Sequence, residues 1–178
     1  MAWQKHIKVK HFLNTMNVIG IDPGLATVGF GVIRTENGNI IPISYGCIRT
    51  SADKQTSERL LEIFNEIASL FEKYKPEVIA VEKLFFSKNV TNGLSVSEAR
   101  GVIFLAAQQH NIPIFEYTPN QVKQAITGSG KADKKQMQEM IKRLLDLDEI
   151  PKPDDAADGL SIALCHINMK KFDISQKK

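Results

Sequence analysis

The sequence predicts an α/β architecture: a mixed five-stranded sheet with helices on both faces. Three observations carry this. Three strand-like segments follow one another between residues 18 and 48, joined only by short turns. From residue 56 the apolar pattern takes helical spacing, then alternates between short buried strands and helices. The length of 178 residues suits about one domain, at roughly 100–200 residues each. A run of strands followed by alternating units gives a three-strand antiparallel meander extended by two parallel strands.

Each element has a local cause. Val18 to Asp22 is a short run rich in β-branched residues, which reads as a buried strand. Asp22-Pro23-Gly24 ends it, because proline fixes φ and lacks a donor while glycine tolerates positive φ. Val28 to Arg34, with glycines at 29 and 31, is the second strand. Asn37-Gly38 signals a hairpin turn, and Ile40 to Ile48 returns as the third strand. Leu60, Phe64, Ile67 and Phe71 then recur at helical spacing, predicting an amphipathic helix over 56–74 that Pro76 stops. Val78 to Val81 is a buried strand with Glu82 directly after it. An alanine-rich helix is expected over 93–110 and a strand over Ile112 to Tyr117. Thr118 and Gln121 have capping-box spacing, with Pro119 at the first helical position, so a helix should run to Gly128. Asp133 and Gln136 repeat that box before the next helix. Pro151 and Pro153 break the chain ahead of a last helix from Asp154 to about Ile167. Residues 1–15 read as a basic N-terminal extension, either an arm or an upstream start. Residues 16–168 read as a single domain, and 169–178 as a polar tail.

Composition excludes several classes. Hydrophobic residues at 43% and charged residues at 24% argue against intrinsic disorder for most of the chain. No window offers the roughly 20 apolar residues a membrane-spanning helix needs. Cys47 and Cys165 are too few and too far apart for a disulfide framework or a four-ligand zinc site, so a cytoplasmic setting is expected. The net charge of +3 is uninformative, but its distribution is not. Tyr117 to Arg143 holds six bases and two acids; Asp146 to Asp158 holds six acids and one base. A basic stretch beside an acidic cluster suits a phosphate polymer lying over a metal-binding pocket, and it also suits an unevenly charged solvated surface.

Four acids sit where chemistry could use them. Asp22 ends the first strand and Glu82 follows the fourth. Asp155 and Asp158 share one face near the start of the last helix. If the first and fourth strands are neighbours, Asp22 and Glu82 enter one crevice and the final helix can bring its pair over them. Crowded carboxylates repel and take up protons, unless a hard divalent cation with oxygen ligands resolves the conflict. Two such ions support in-line phosphodiester cleavage. Duller roles exist for each acid: a turn for Asp22, a surface ion pair for Glu82, a helix cap for Asp154 or Asp155.

The ordered set Ile19-Gly20-Ile21-Asp22-Pro23-Gly24, Gly29, Gly31, Val81 to Phe85, Ala99-Arg100-Gly101, Phe115-Glu116-Tyr117, Gln121-Val122-Lys123 and Asp155-Ala156-Ala157-Asp158 resembles the RuvC crossover-junction endonucleases. These are Holliday junction resolvases of ribonuclease H-like fold. The likeness runs from Met16 to about His166. It implies a homodimer that binds a four-way DNA junction and nicks two strands of like polarity. It also implies a branch-migration complex as partner. The resemblance places catalysis and metal binding on Asp22, Glu82, Asp155 and Asp158. The metal would be Mg²⁺, two ions per site with substrate, with Mn²⁺ as a substitute. DNA contacts would fall to Phe85, Lys123 and Lys134, and to Arg100, which could equally serve a dimer interface along the Ala99 to Ala107 helix. Three other functions compete: a related nuclease acting on RNA ends, a junction binder that does not cut, and a sugar-kinase-like ATPase, for which the chain is too short.

Overall fold

Residues 15–83 and 90–175 are described by the computed structural model. Ten elements follow in the order expected. They are β1 (Met16–Asp22), β2 (Thr27–Glu36), β3 (Asn39–Arg49), α1 (Thr56–Tyr74), β4 (Val78–Glu82), α2 (Val90–Gln109), β5 (Ile114–Tyr117), α3 (Pro119–Thr127), α4 (Lys134–Leu144) and α5 (Asp154–Ser175). The sheet order is β3-β2-β1-β4-β5. β1, β2 and β3 form the antiparallel meander, while β4 lies parallel to β1 and β5 parallel to β4. Asn37 and Gly38 both take positive φ, 51° and 84°, as a tight hairpin twisted to match its strands demands.

Strand alternation sorts the core into two layers. Ile19 and Ile21 of β1 face α1 and α2, where Ile63, Ile67, Phe71, Ala99 and Ile103 bury. Val18 of β1, Val78 and Ala80 of β4 and Tyr117 of β5 face α3, α4 and α5. Within that layer α5 lies against the sheet, and α3 and α4 pack on α5. From Ala156 to Ile167 nearly every residue of α5 is buried, the pattern of a helix with neighbours all round.

α5 lies unusually close to the sheet, and glycine is the reason. A β-carbon on Gly29 would stand 2.0 Å from the Asp155 carbonyl oxygen, and one on Gly31 would stand 2.5 Å from the Leu160 nitrogen. From the helix side, a β-carbon on Gly159 would stand 2.4 Å from the Phe30 carbonyl carbon. These are positions where backbone meets backbone, and only a residue without a side chain fits.

The structure shifts three expected boundaries. β5 starts at Ile114 rather than Ile112, because residues 110–112 close α2: Asn111 takes φ 55° and the Ile112 amide donates to the Ala107 carbonyl at 2.9 Å. α2 begins at Val90 rather than residue 93, and α5 continues to Ser175, past the expected end near Ile167. Residues 1–14 of the N-terminal extension, and Phe85 with its neighbour Phe86, lie outside the described residues.

Candidate active site

The carboxyl ends of β1, β3, β4 and β5 open on one edge of the sheet, and the strand register fixes what stands there. Ile21 pairs with Val81, so Asp22 and Glu82 stand side by side on adjacent parallel strands. Their positions match those of Gly20 and Ala80, on the face covered by α5. The glycine contacts then bring the first turns of α5, with Asp155 and Asp158, down onto that corner.

The electrostatics follow from the crowding. Burial, then the charges of Glu82, Asp158 and Asp155, push the Asp22 carboxyl up to about 8, and the protonated carboxyl donates a hydrogen bond to Glu82. Burial and the Asp158 charge raise Glu82, while the accepted hydrogen bond and Lys123 hold it down in part. Burial raises Asp158 against the pull of Lys134. Two lysines complete the crevice, which Glu82, Asp158, Lys123 and Lys134 line together with Val122 and Met137.

Both lysines are held by helix starts that the sequence foretells. The Thr118 hydroxyl accepts from the Gln121 amide at 3.1 Å, and Gln121 Oε1 accepts from the Thr118 amide at 2.9 Å, which fixes α3 and Lys123. Asp133 accepts from the Gln136 amide at 2.8 Å and begins α4 at Lys134. Lys134 Nζ lies 3.0 Å from Asp154 Oδ2 and 4.0 Å from Asp158 Oδ2. Asp154, whose duller role was a helix cap, instead accepts from Lys134 and, at 2.8 Å, from Gln138 Nε2. The charged stretches at 117–143 and 146–158 hinted at this pairing without naming its members.

A profile of known proteins supplies the missing context. The family model described as "Crossover junction endodeoxyribonuclease RuvC" matches residues 18–166. The chain belongs to the RuvC family. Curated RuvC proteins from Brevibacillus brevis and Caldicellulosiruptor saccharolyticus are each 54% identical to it. The first aligns over 88% of this chain and 95% of its own length, the second over 85% and 92%. A Thermus thermophilus RuvC solved in complex with Holliday junction substrate superposes with a TM-score of 0.84 at 32% identity, covering 89% of this chain and 97% of that one. The expected ribonuclease H-like architecture is thus the family's own.

Not every residue expected at a RuvC site reaches the crevice. Arg100 pairs with Glu116 and lies over the Phe104 ring, 4.5 Å from its centroid. Strand alternation explains this: Tyr117 faces α5, so Glu116 faces the α1–α2 layer and keeps Arg100 there. Phe85, outside the described residues, has no place assigned.

The donor set suits a hard divalent cation, since burial penalises charge on Asp22, Glu82 and Asp158 and the Asp155 charge acts on Asp22 as well. Among the described residues no three His, Cys, Asp or Glu side chains are gathered tightly enough to share one ion. The carboxylates are assembled as neighbours, with Asp22 and Glu82 close enough to hydrogen-bond.

A pH effect follows for the metal-free chain. Asp22, Glu82 and Asp158 titrate above their ordinary range when folded, so the folded state holds protons that the unfolded state has lost. Stability is therefore fully present below the ordinary carboxylate range and drains as pH rises towards about 8. Buried His166, lowered to about 4, acts oppositely, but only below its ordinary value of about 6.5. Between about pH 6.5 and 8 the carboxylates dominate, and the melting temperature in EDTA should fall by roughly 3–6 °C. Mg²⁺ should flatten the slope. A melting temperature that rises over this window in EDTA would refute the reading.

Proposed function

We propose that this chain is a structure-selective endonuclease that resolves Holliday junctions in DNA recombination and repair. It would hydrolyse phosphodiester bonds on two strands of like polarity. The supporting observation is the corner where Asp22 and Glu82, adjacent in the sheet, meet the Asp155–Asp158 turn of α5 with two lysines alongside. The Thermus RuvC, solved on a Holliday junction and covered over nearly its whole length, points to the same substrate.

In this reading Asp22, Glu82, Asp155 and Asp158 hold divalent metal, taken to be Mg²⁺, two ions per site with substrate, with Mn²⁺ as a substitute. When bound, such ions activate water and neutralise the charge that builds on the phosphate. The chain's own groups do the rest. Asp22 would release to solvent the proton it holds against Glu82, leaving both carboxylates free as ligands. Lys123 and Lys134 take phosphate oxygens, Lys134 by leaving Asp154. A lysine in the first turn of a helix faces the positive end of the macrodipole, so Lys134 gains nothing for α4 by its position. Phe85 would stack on a base near the junction centre. Arg100 suits the dimer contact better than DNA, given its pairing with Glu116.

A homodimer would present two such sites to a junction of approximate two-fold symmetry. A branch-migration complex as partner and a cytoplasmic setting belong to the same proposal. Among the described residues no helix is long and apolar enough to cross a membrane.

The deciding experiment is a nicking assay on a synthetic four-way junction and on linear duplex, with and without Mg²⁺. Symmetric nicks confined to the junction and dependent on metal are expected; equal cutting of both substrates would sink the reading. Junction affinity should also weaken steeply with salt, by about 0.9 log units per phosphate contact for each tenfold increase. Replacing Lys123 and Lys134 together with alanine should reduce that slope by roughly two units. An unchanged slope would remove both lysines from the interface.

A further inference from the structure

We propose that Arg49 binds a backbone phosphate of the cleaved DNA strand, on the flank of the carboxylate cluster opposite Lys123 and Lys134. The inference rests on the nuclease reading above.

The register lays out the row. Asp22 pairs with Gly29, and Gly29 pairs with Cys47, so β1, β2 and β3 place these residues in line across the sheet. Glu82 extends the line on β4, and Tyr117, paired with it, on β5. Arg49 follows Cys47 by two residues and pairs with Thr27 at the end of β3. It therefore projects from the same face and the same open edge as the carboxylates. Cys47 ties the two together, since both Asp155 and Arg49 act electrostatically on its thiol. The lysines stand beyond Glu82 and Asp158. A strand crossing the cluster from the lysine side leaves it over the end of β3. Neighbouring sheet strands are about 4.8 Å apart and Arg49 lies two residues past the row, so that exit lies roughly 12 Å from Asp22.

Arg49 is available and rigidly mounted. It is exposed, and among the described residues no carboxylate is within ion-pair distance of its guanidinium. At the sheet edge Arg49 also borders a groove on the α1 side, where Lys54 is paired with Glu62 and Glu66 is not within ion-pair distance of Arg49. The residue after Arg49 is tied down three times. The Thr50 amide donates to the Ala26 carbonyl at 3.2 Å, its hydroxyl donates to the Leu25 carbonyl at 2.6 Å, and Arg59 Nε donates to that hydroxyl at 2.8 Å. Leu25 and Ala26 belong to the turn that leaves Asp22. The base of Arg49 is thus fixed relative to the carboxylates while its charged end is left to solvent. A planar guanidinium suits two oxygens of one phosphate.

The test uses the full chain in an Asp22→Asn background, so that binding to a synthetic four-way junction is read without cleavage. Arg49→Ala should lower affinity about tenfold in moderate salt and make the salt slope shallower by about one unit per engaged site. Arg49→Lys should retain most of both. Lys73→Ala, at the far end of α1, is the control and should change neither. Placing one neutral methylphosphonate at a time along the cleaved strand should weaken the parent at a position flanking the nick and leave Arg49→Ala unaffected there. A merely structural role would lower the melting temperature without moving the slope or the methylphosphonate pattern. Arg49→Ala with the parent's slope and pattern overturns the proposal. A chain with Asp22 restored that nicks no junction would sink the nuclease reading instead, and the slope would still decide whether Arg49 touches DNA.

Discussion

Asp22→Asn is expected to abolish nicking while leaving junction affinity equal or higher, and to raise the melting temperature of the metal-free chain. The three effects share one cause. Asp22 is the most deeply perturbed of the four acids, pushed up to about 8 by burial and by three neighbouring carboxylates. An asparagine amide can donate to Glu82 as the protonated acid does, yet it carries no charge at any pH. Near pH 8 the substitution removes a buried like-charge conflict, stabilising the fold by on the order of 2 kcal/mol, or about 5 °C. Cleavage suffers because a neutral amide is a poor ligand for a hard cation; a loss of about 10³-fold or more is expected. Affinity is spared because the variant puts less negative charge against the phosphate. Melting in EDTA, gel shift and single-turnover nicking in Mg²⁺ read the three effects separately. Nicking at the parent's rate would refute the assignment of Asp22, whatever the other two showed.

The sequence showed most of this site because its parts are locally encoded. Asp22 and Glu82 each end a short β-branched run, and the capping boxes at Thr118 and Asp133 announce the helices that carry Lys123 and Lys134. What the sequence left conditional was adjacency. Nothing near Asp22 says that β1 pairs with β4 rather than β5; that comes from the assembled sheet. Arg100 shows the limit clearly. Its place depends on which face of β5 Glu116 occupies, a parity set by register and invisible in spacing. No motif marks Arg49: its interest lies in the row from β3 to β5, which spans three separate stretches of chain. Gly29 and Gly31 were visible as strand glycines, but their purpose, a helix backbone laid directly on them, needed α5 in place.

That contact carries the second large prediction. Gly31→Ala should cost stability and catalysis together. The added β-carbon would stand 2.5 Å from the Leu160 nitrogen and 2.6 Å from its α-carbon, inside any tolerable distance, and neither is a flexible side-chain tip. Leu160 is fully buried among Val18, Ile33 and Ala163, so α5 cannot slide aside without opening the layer it shares with α3 and α4. Overpacking against backbone costs about 1–3 kcal/mol, or roughly 3–9 °C of melting temperature for a chain of this size. Relief requires lifting α5 off β2, and Asp158 rides on the same turns as Leu160. A displacement of about 1 Å at that point can cost 10²-fold in rate even though no site residue has changed. The lysines rest on α3 and α4, so junction affinity should fall much less than nicking does. Ala99→Gly, on the other face of the sheet, separates the causes: it should destabilise the chain while leaving the nicking rate of the folded fraction near the parent's. If Gly31→Ala lost stability but nicked at the parent's rate below its melting temperature, the seating of α5 on the glycines would not be what positions Asp158.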